Sequence, residues 1–161
     1  MIVVADTTPL NYLILIEKIS VLPSIFSSVV VPKAVIQEMS HPKAPLAVSE
    51  WANCPPDWVD VRDASLVPSL TRGGLGRGET SAISIALEFG IGQILMDDKK
   101  AVLEATDQGL KIITTFLVLE IAAAKGLLDL ESAIASLAAT NFRFPPDDLV
   151  KEMLNRNKRK Y

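Results

Sequence analysis

The chain has 161 residues, 49% of them hydrophobic, and a formal net charge of −3. That is enough apolar material for one full core, and the charge gives no global basic field, so any nucleic-acid contact must come from a local patch. A single cysteine, Cys54, excludes a disulfide framework and a cysteine-rich zinc site, and a single histidine, His41 in the turn-like SHPKAP, excludes chemistry built on a histidine pair.

The N-terminal MIVVAD has no basic leader, and Glu17 and Lys18 interrupt the apolar run that follows. An intracellular, cytoplasmic protein without a membrane span is therefore expected. IVVA (2–5) and SVVV (28–31) are short β-branched runs of the kind that form fully buried parallel strands. Between them TPLNYLILIEKI (8–19) has helical length, with Thr7 or Thr8 as N-cap and Pro9 near the first helical position. PKAVIQEMS (32–40) reads as a helix ending at the His41-Pro42 turn. The proline-rich stretch 42–72 holds a helix at LAVSEWAN (46–53) and a strand at WVDVR (58–62).

From Gly78 the pattern becomes regular: helix ETSAISIALEF, strand QILM, helix KKAVLEATDQ, strand KIIT, helix TFLVLEIAAAK. Gly90, Gly109 and Gly126 each fall just past a helical run, where a left-handed residue is wanted. Strands alternating with helices over such short links predict an α/β fold, a parallel sheet covered on both faces. LESAIASLAAT and DDLVKEMLNRN add two last helices. With no interdomain linker, one domain over 1–161 is expected, its core at about 1–128 and its C-terminal helices and basic tail at 129–161.

In an open parallel sheet the functional edge lies where the chain leaves the strands for the helices. Asp6 follows IVVA and Asp97 follows QILM, so both are expected on that edge. Glu79 shares a helix face with Ala82, Ile83 and Ala86, and Glu38 with Ala34 and Val35. A carboxylate on an inward stripe is costly unless paired, protonated or coordinated. Each acid alone has an ordinary explanation: Glu79 could favour its helix N-terminus, and Glu38 could pair with Lys33. Together the four make a hard-oxygen set suited to Mg²⁺ or Mn²⁺ and to phosphodiester chemistry. Asp98, pointing differently from Asp97, is a further candidate ligand. GGLGRGE (73–79) lacks the spacing of a P-loop or a dinucleotide fingerprint and is expected to make the tight approach to Glu79. Glu120, on an apolar helix, is read as structural.

These residues resemble a known family. Asp6 in VADTTPL, Glu38 in VPKAVIQEM, Glu79 in LGRGETSAISIALEFG and Asp97 in ILMDDKKA look like the four acidic positions of PIN-domain nucleases, which include toxin ribonucleases of toxin-antitoxin pairs. The likeness covers about residues 1 to 128, and is greatest to a branch marked by D-T/S-x-P-L and L-G-x-G-E. It implies a three-layer α/β/α domain with a mainly parallel sheet of about five strands. It also implies catalytic and metal-binding roles for Asp6, Glu38, Glu79 and Asp97, a supporting hydroxyl at Thr8, and Asp98 as an additional acid. The chain departs from the pattern in having Glu79 where many members have Asp, Thr8 where Ser is commoner, and Phe116 where relatives of the branch often have Gly. The resemblance adds single-stranded RNA as substrate and an antitoxin as partner, and apolar residues exposed on the first two helices offer a surface for a homodimer or an antitoxin groove.

The C-terminal VKEMLNRNKRKY sets Lys151, Arg156, Lys158, Arg159 and Lys160 against one acid, Glu152. It reads either as a solvated helix end or as an arm on which Arg156, Lys158, Arg159 and Lys160 follow a nucleic-acid backbone. Two rival functions are a non-catalytic PIN-like module that binds RNA or protein, and a receiver-like phosphoacceptor domain. The latter calls for an acid pair after the first strand, where Asp6 is followed instead by Thr7.

Overall fold

The β-branched runs pair in parallel, as continuous apolar strands do when both faces are covered. In the computed structural model, which describes residues 1–65, 70 and 72–159, they are β1 (Ile2–Ala5), β2 (Ser28–Pro32), β3 (Val59–Arg62), β4 (Gln93–Leu95) and β5 (Lys111–Ile113). They form one sheet in the order β3-β2-β1-β4-β5, with every neighbouring pair parallel. Both chain directions away from β1 are used, β2 lying on one side and β4 on the other. The order therefore reverses at β1/β4, the point where open sheets form their crevice.

Side chains alternate across the sheet with period two. Val3, Ala5, Val29, Val31 and Leu95 belong to one core, and Val4, Val30, Ile94 and Met96 to the other. The first core is closed by α1 (Thr7–Leu15), α3 (Lys33–Met39), α4 (Leu46–Asn53), α7 (Thr115–Ala124), α8 (Leu130–Ala138) and α9 (Asp147–Arg159), with the one-turn α2 (Leu22–Ile25) beside them. The second is closed by α5 (Arg77–Glu88) and α6 (Lys99–Asp107). The result is the expected three-layer arrangement.

Two boundaries differ from expectation. The first helix does not run to Ile19: it stops at Leu15, and Glu17 takes a left-handed φ of 59° so that the amide of Lys18 can reach the carbonyl of Leu13 at 2.8 Å. For a residue with a Cβ that conformation costs about 1 to 2 kcal/mol, and no glycine in the sequence announces it. The chain then makes a 3-10 turn, Ile19–Val21, before α2, neither of which the apolar periodicity distinguishes from a longer helix. The glycine stops are where they were expected. Gly90, Gly109 and Gly126 have φ of 64°, 85° and 72°, each followed by an amide that reaches back over the last helical turn.

Candidate active site

The register of β1 and β4 sets the site. Ala5 faces Leu95, the Asp6 amide donates to the Leu95 carbonyl at 3.0 Å, and Asp97 lies two residues past that carbonyl on the same edge. Asp6 then occupies the N-cap position of α1, yet its side chain makes no capping bond. The local sequence explains this in part. An N-cap carboxylate ordinarily accepts from the second or third helical amide, and the third residue here is Pro9, which has none. Asp6 is 2% exposed, and its Oδ1 is buried without a hydrogen-bond partner. Burial, set against the helpful amide of Thr7 and reinforced by the charges of Glu79, Glu38 and Asp97, lifts its pKa from 3.8 to about 7. Glu79, Glu38 and Asp97 therefore lie near enough to Asp6 for their charges to be felt there.

Each of the other three acids is held by neighbours. Glu38, on an exposed turn of α3, accepts from the Thr7 hydroxyl at 2.6 Å and from the Gly78 amide at 2.9 Å. A Cβ at Gly78 would stand 2.7 to 3.0 Å from the Glu38 carboxylate, so only glycine leaves room for that approach. Glu79, in the first turn of α5, accepts from the Gly76 amide at 2.8 Å, which is half of a capping box, glycine having no side chain to return the bond. Asp97 takes the amide of Thr115 at 2.9 Å on Oδ1 and its hydroxyl at 2.5 Å on Oδ2. Burial raises the Asp97 pKa, while these two bonds oppose the rise.

Some expectations need correction. At the start of α1 the hydroxyl bonded to an acid is that of Thr7, which donates to Glu38 of α3, whereas the hydroxyl expected to assist near Asp6 is that of Thr8. Asp98 does not join the rim; its Oδ2 caps α6 by accepting from the Ala101 amide at 3.0 Å. Arg156 is not a free cation, because Glu120 of α7 takes its guanidinium at 3.1 and 3.4 Å and Glu152 adds a contact at 3.4 Å. Lys158 and Arg159 are exposed in the last turn of α9, and Lys160 lies outside the described residues. Phe116 leaves no gap where a glycine was the alternative: its ring packs against Phe144 at 5.3 Å and Phe142 at 5.7 Å.

Thr7, Gly78 and Thr115 were not singled out by the sequence. Thr115 carries the clearest signal after the fact. The Thr114-Thr115 pair opens an apolar helix, Thr114 accepts from the Leu117 amide as N-cap, and the second hydroxyl, fully buried, must find another partner. His41 and Cys54 are both exposed, and neither touches the rim.

The donor set fits a hard divalent ion of one kind. Among the described residues no three acidic, histidine or cysteine side chains form a close metal-binding group. Mg²⁺ and similar ions keep several waters and take one or two carboxylates directly. Such an ion would find an open oxygen in the unpartnered Oδ1 of Asp6, with Glu79, Glu38 and Asp97 near enough to raise the Asp6 pKa. No helix among the described residues is long and apolar enough to cross a membrane.

Comparison with known proteins gives a family and a fold. The family described as DUF3368: PIN domain matches residues 2–159, thirty-one residues beyond the stretch in which the motifs are legible by eye. Among solved structures, the chain is similar to a PilT N-terminus domain protein, SSO1118, from the hyperthermophilic archaeon Sulfolobus solfataricus P2. The TM-score is 0.50 at 17% identity, over 90% of this chain and 100% of that one, a likeness of fold alone. No curated protein matches.

Proposed function

The chain belongs to the PIN-domain family, generally a metal-dependent nuclease fold, and on that premise we propose that it is an endoribonuclease acting on single-stranded RNA with Mg²⁺ or Mn²⁺. The observation that carries the reading is the buried, unpartnered carboxylate oxygen of Asp6, which feels the charges of Asp97 past the tip of β4, Glu38 on α3 and Glu79 in the first turn of α5. A buried acid with no partner is unfavourable unless a proton or a cation completes it.

A divalent ion at this rim supplies positive charge for the phosphate oxygens and for the attacking water. The chain's own residues prepare the place. Thr115 fixes both oxygens of Asp97, and Thr7 with the Gly78 amide fixes Glu38. The Gly76 amide holds Glu79 facing the rim. Asp6 keeps a proton near neutral pH and surrenders it when a cation arrives. Expected products carry 3′-hydroxyl and 5′-phosphate ends.

The finer proposal is a toxin of a toxin-antitoxin pair, with an antitoxin protein as partner and a homodimer as its assembly. The second reading, a non-catalytic module that binds RNA or protein, is favoured by one observation, the absence of a ready three-residue metal group among the described residues. A single experiment separates the two. Labelled mixed-sequence single-stranded RNA is incubated with the protein and Mn²⁺ or Mg²⁺, with EDTA, and with Asp97→Asn. Cutting that EDTA and the substitution both abolish supports the nuclease. A folded, RNA-binding protein that cuts under none of these conditions sinks it in favour of the module.

A further inference from the structure

Between α3 and α5, beyond the carboxylate rim, lies a groove of about 420 Å³ lined by Lys33, Gln37, Asp63, Arg77, Thr80 and Ser81. Its volume lies within the range of ordinary ligand clefts, about 300 to 1,000 Å³. Its walls are continuous with the site: Gln37 precedes Glu38, and Arg77 precedes the Gly78 whose amide holds Glu38. We propose that this groove carries the sugar-phosphate backbone of the RNA strand to one side of the carboxylates, with Arg77 as the principal phosphate contact and Lys33 as the second. The inference rests on the nuclease reading and adds to it the path of the substrate.

Four observations support it. Arg77 is exposed and has no ion-pair or side-chain hydrogen-bond partner among the described residues. The side chains of Gln37, Thr80 and Ser81 likewise make no hydrogen bond among the described residues, which leaves them for phosphate and sugar oxygens. Lys33 stands 3.9 Å from Asp63, both more than half exposed, a loose pair that a phosphate can replace. Finally, four carboxylates repel a polyanion, so an approach to them calls for cations close by. Arg156 on α9, by contrast, has already given its guanidinium to Glu120 and Glu152.

The test is fluorescence anisotropy with labelled mixed-sequence single-stranded RNA, on the Asp97→Asn background, in EDTA and again in Mn²⁺, over a series of salt concentrations. Arg77→Ala is expected to weaken binding at least fivefold and to lower the log-log salt slope by about 0.7, the loss of one single-strand phosphate contact. Arg77→Lys is expected to restore the slope, and Lys125→Ala, at the far end of α7, to change neither quantity. An unchanged Arg77→Ala slope, an equal loss in Lys125→Ala, or a slope that falls only in Lys158→Ala with Arg159→Ala overturns the groove. So does wild-type protein that binds no RNA in either condition. Binding through Arg77 by a wild-type protein that never cuts would overturn the nuclease reading and leave the groove standing. Cutting with KM unaffected by Arg77→Ala would do the reverse.

Discussion

Asp6 stands where a helix-capping aspartate would place its oxygens, and Pro9 withholds one of the two amides that would receive them. Its pKa of about 7 means that the folded protein retains a proton that the unfolded chain has lost above its ordinary value of 3.8. The unfolded state then binds fewer protons, so stability of the metal-free protein falls as pH rises from about 4 through about 7. With Asp6 almost fully buried, the whole effect amounts to at most about 4 kcal/mol at 1.4 kcal/mol per pKa unit. Asp6→Asn is expected to exceed the wild type in melting temperature by a margin that grows from pH 5 to pH 8 in EDTA. Mn²⁺ at pH 8 is expected to stabilise the wild type more than the variant. Parallel melting curves for the two proteins across this range would disprove the burial argument.

Helices α3 and α5 exchange a carboxylate for an amide at one point, Glu38 on Gly78. Gly78→Ala would press a Cβ against that carboxylate, and the flexible Glu38 side chain, rather than the backbone, would give way. The lost hydrogen bond costs about 1 kcal/mol, and alanine returns a similar amount by its better helix propensity. The melting temperature should therefore move little, while RNA cleavage falls about tenfold or more as a ligand loses its orientation. Full activity in this variant would show that the position of Glu38 does not matter. The same pair illustrates what is legible in a sequence. Glu38, Glu79, Asp6 and Asp97 stand out because strand tips and helical spacing mark them, and β1, β2 and β4 because buried parallel strands are apolar runs; β3, an edge strand with Asp60 and Arg62, shows instead in the alternation of VDVR. Thr115 and Thr7 escape because a hydroxyl at a helix start has a sufficient local explanation. The role of Asp98 escapes for the opposite reason, since an acid beside Asp97 suggests a ligand when the helix that follows needs a cap. The Arg156 pairing depends on α9 folding back onto α7, which no local pattern encodes.

The basic C-terminal segment is tied to the rest of the molecule by Met153, 5% exposed, which shares a core with Val3 of β1 and Leu119 of α7. Removing residues 147–161 is expected to lower stability by about 1.5 to 3 kcal/mol, the burial of one such side chain, read as a shift of the urea midpoint. No shift would mean that α9 is the frayed arm its charges first suggest. At this scale the position of β4 beside β1 has a further consequence. Asp6 leaves the ribosome with the first strand, but Asp97 comes to stand near it only when β4 closes on β1 across most of the chain. Pairing between segments so distant is a slow, late step. A growing chain therefore holds only half of the candidate site until translation has passed the sheet's midpoint, and the two aspartates meet after most of the chain has been made.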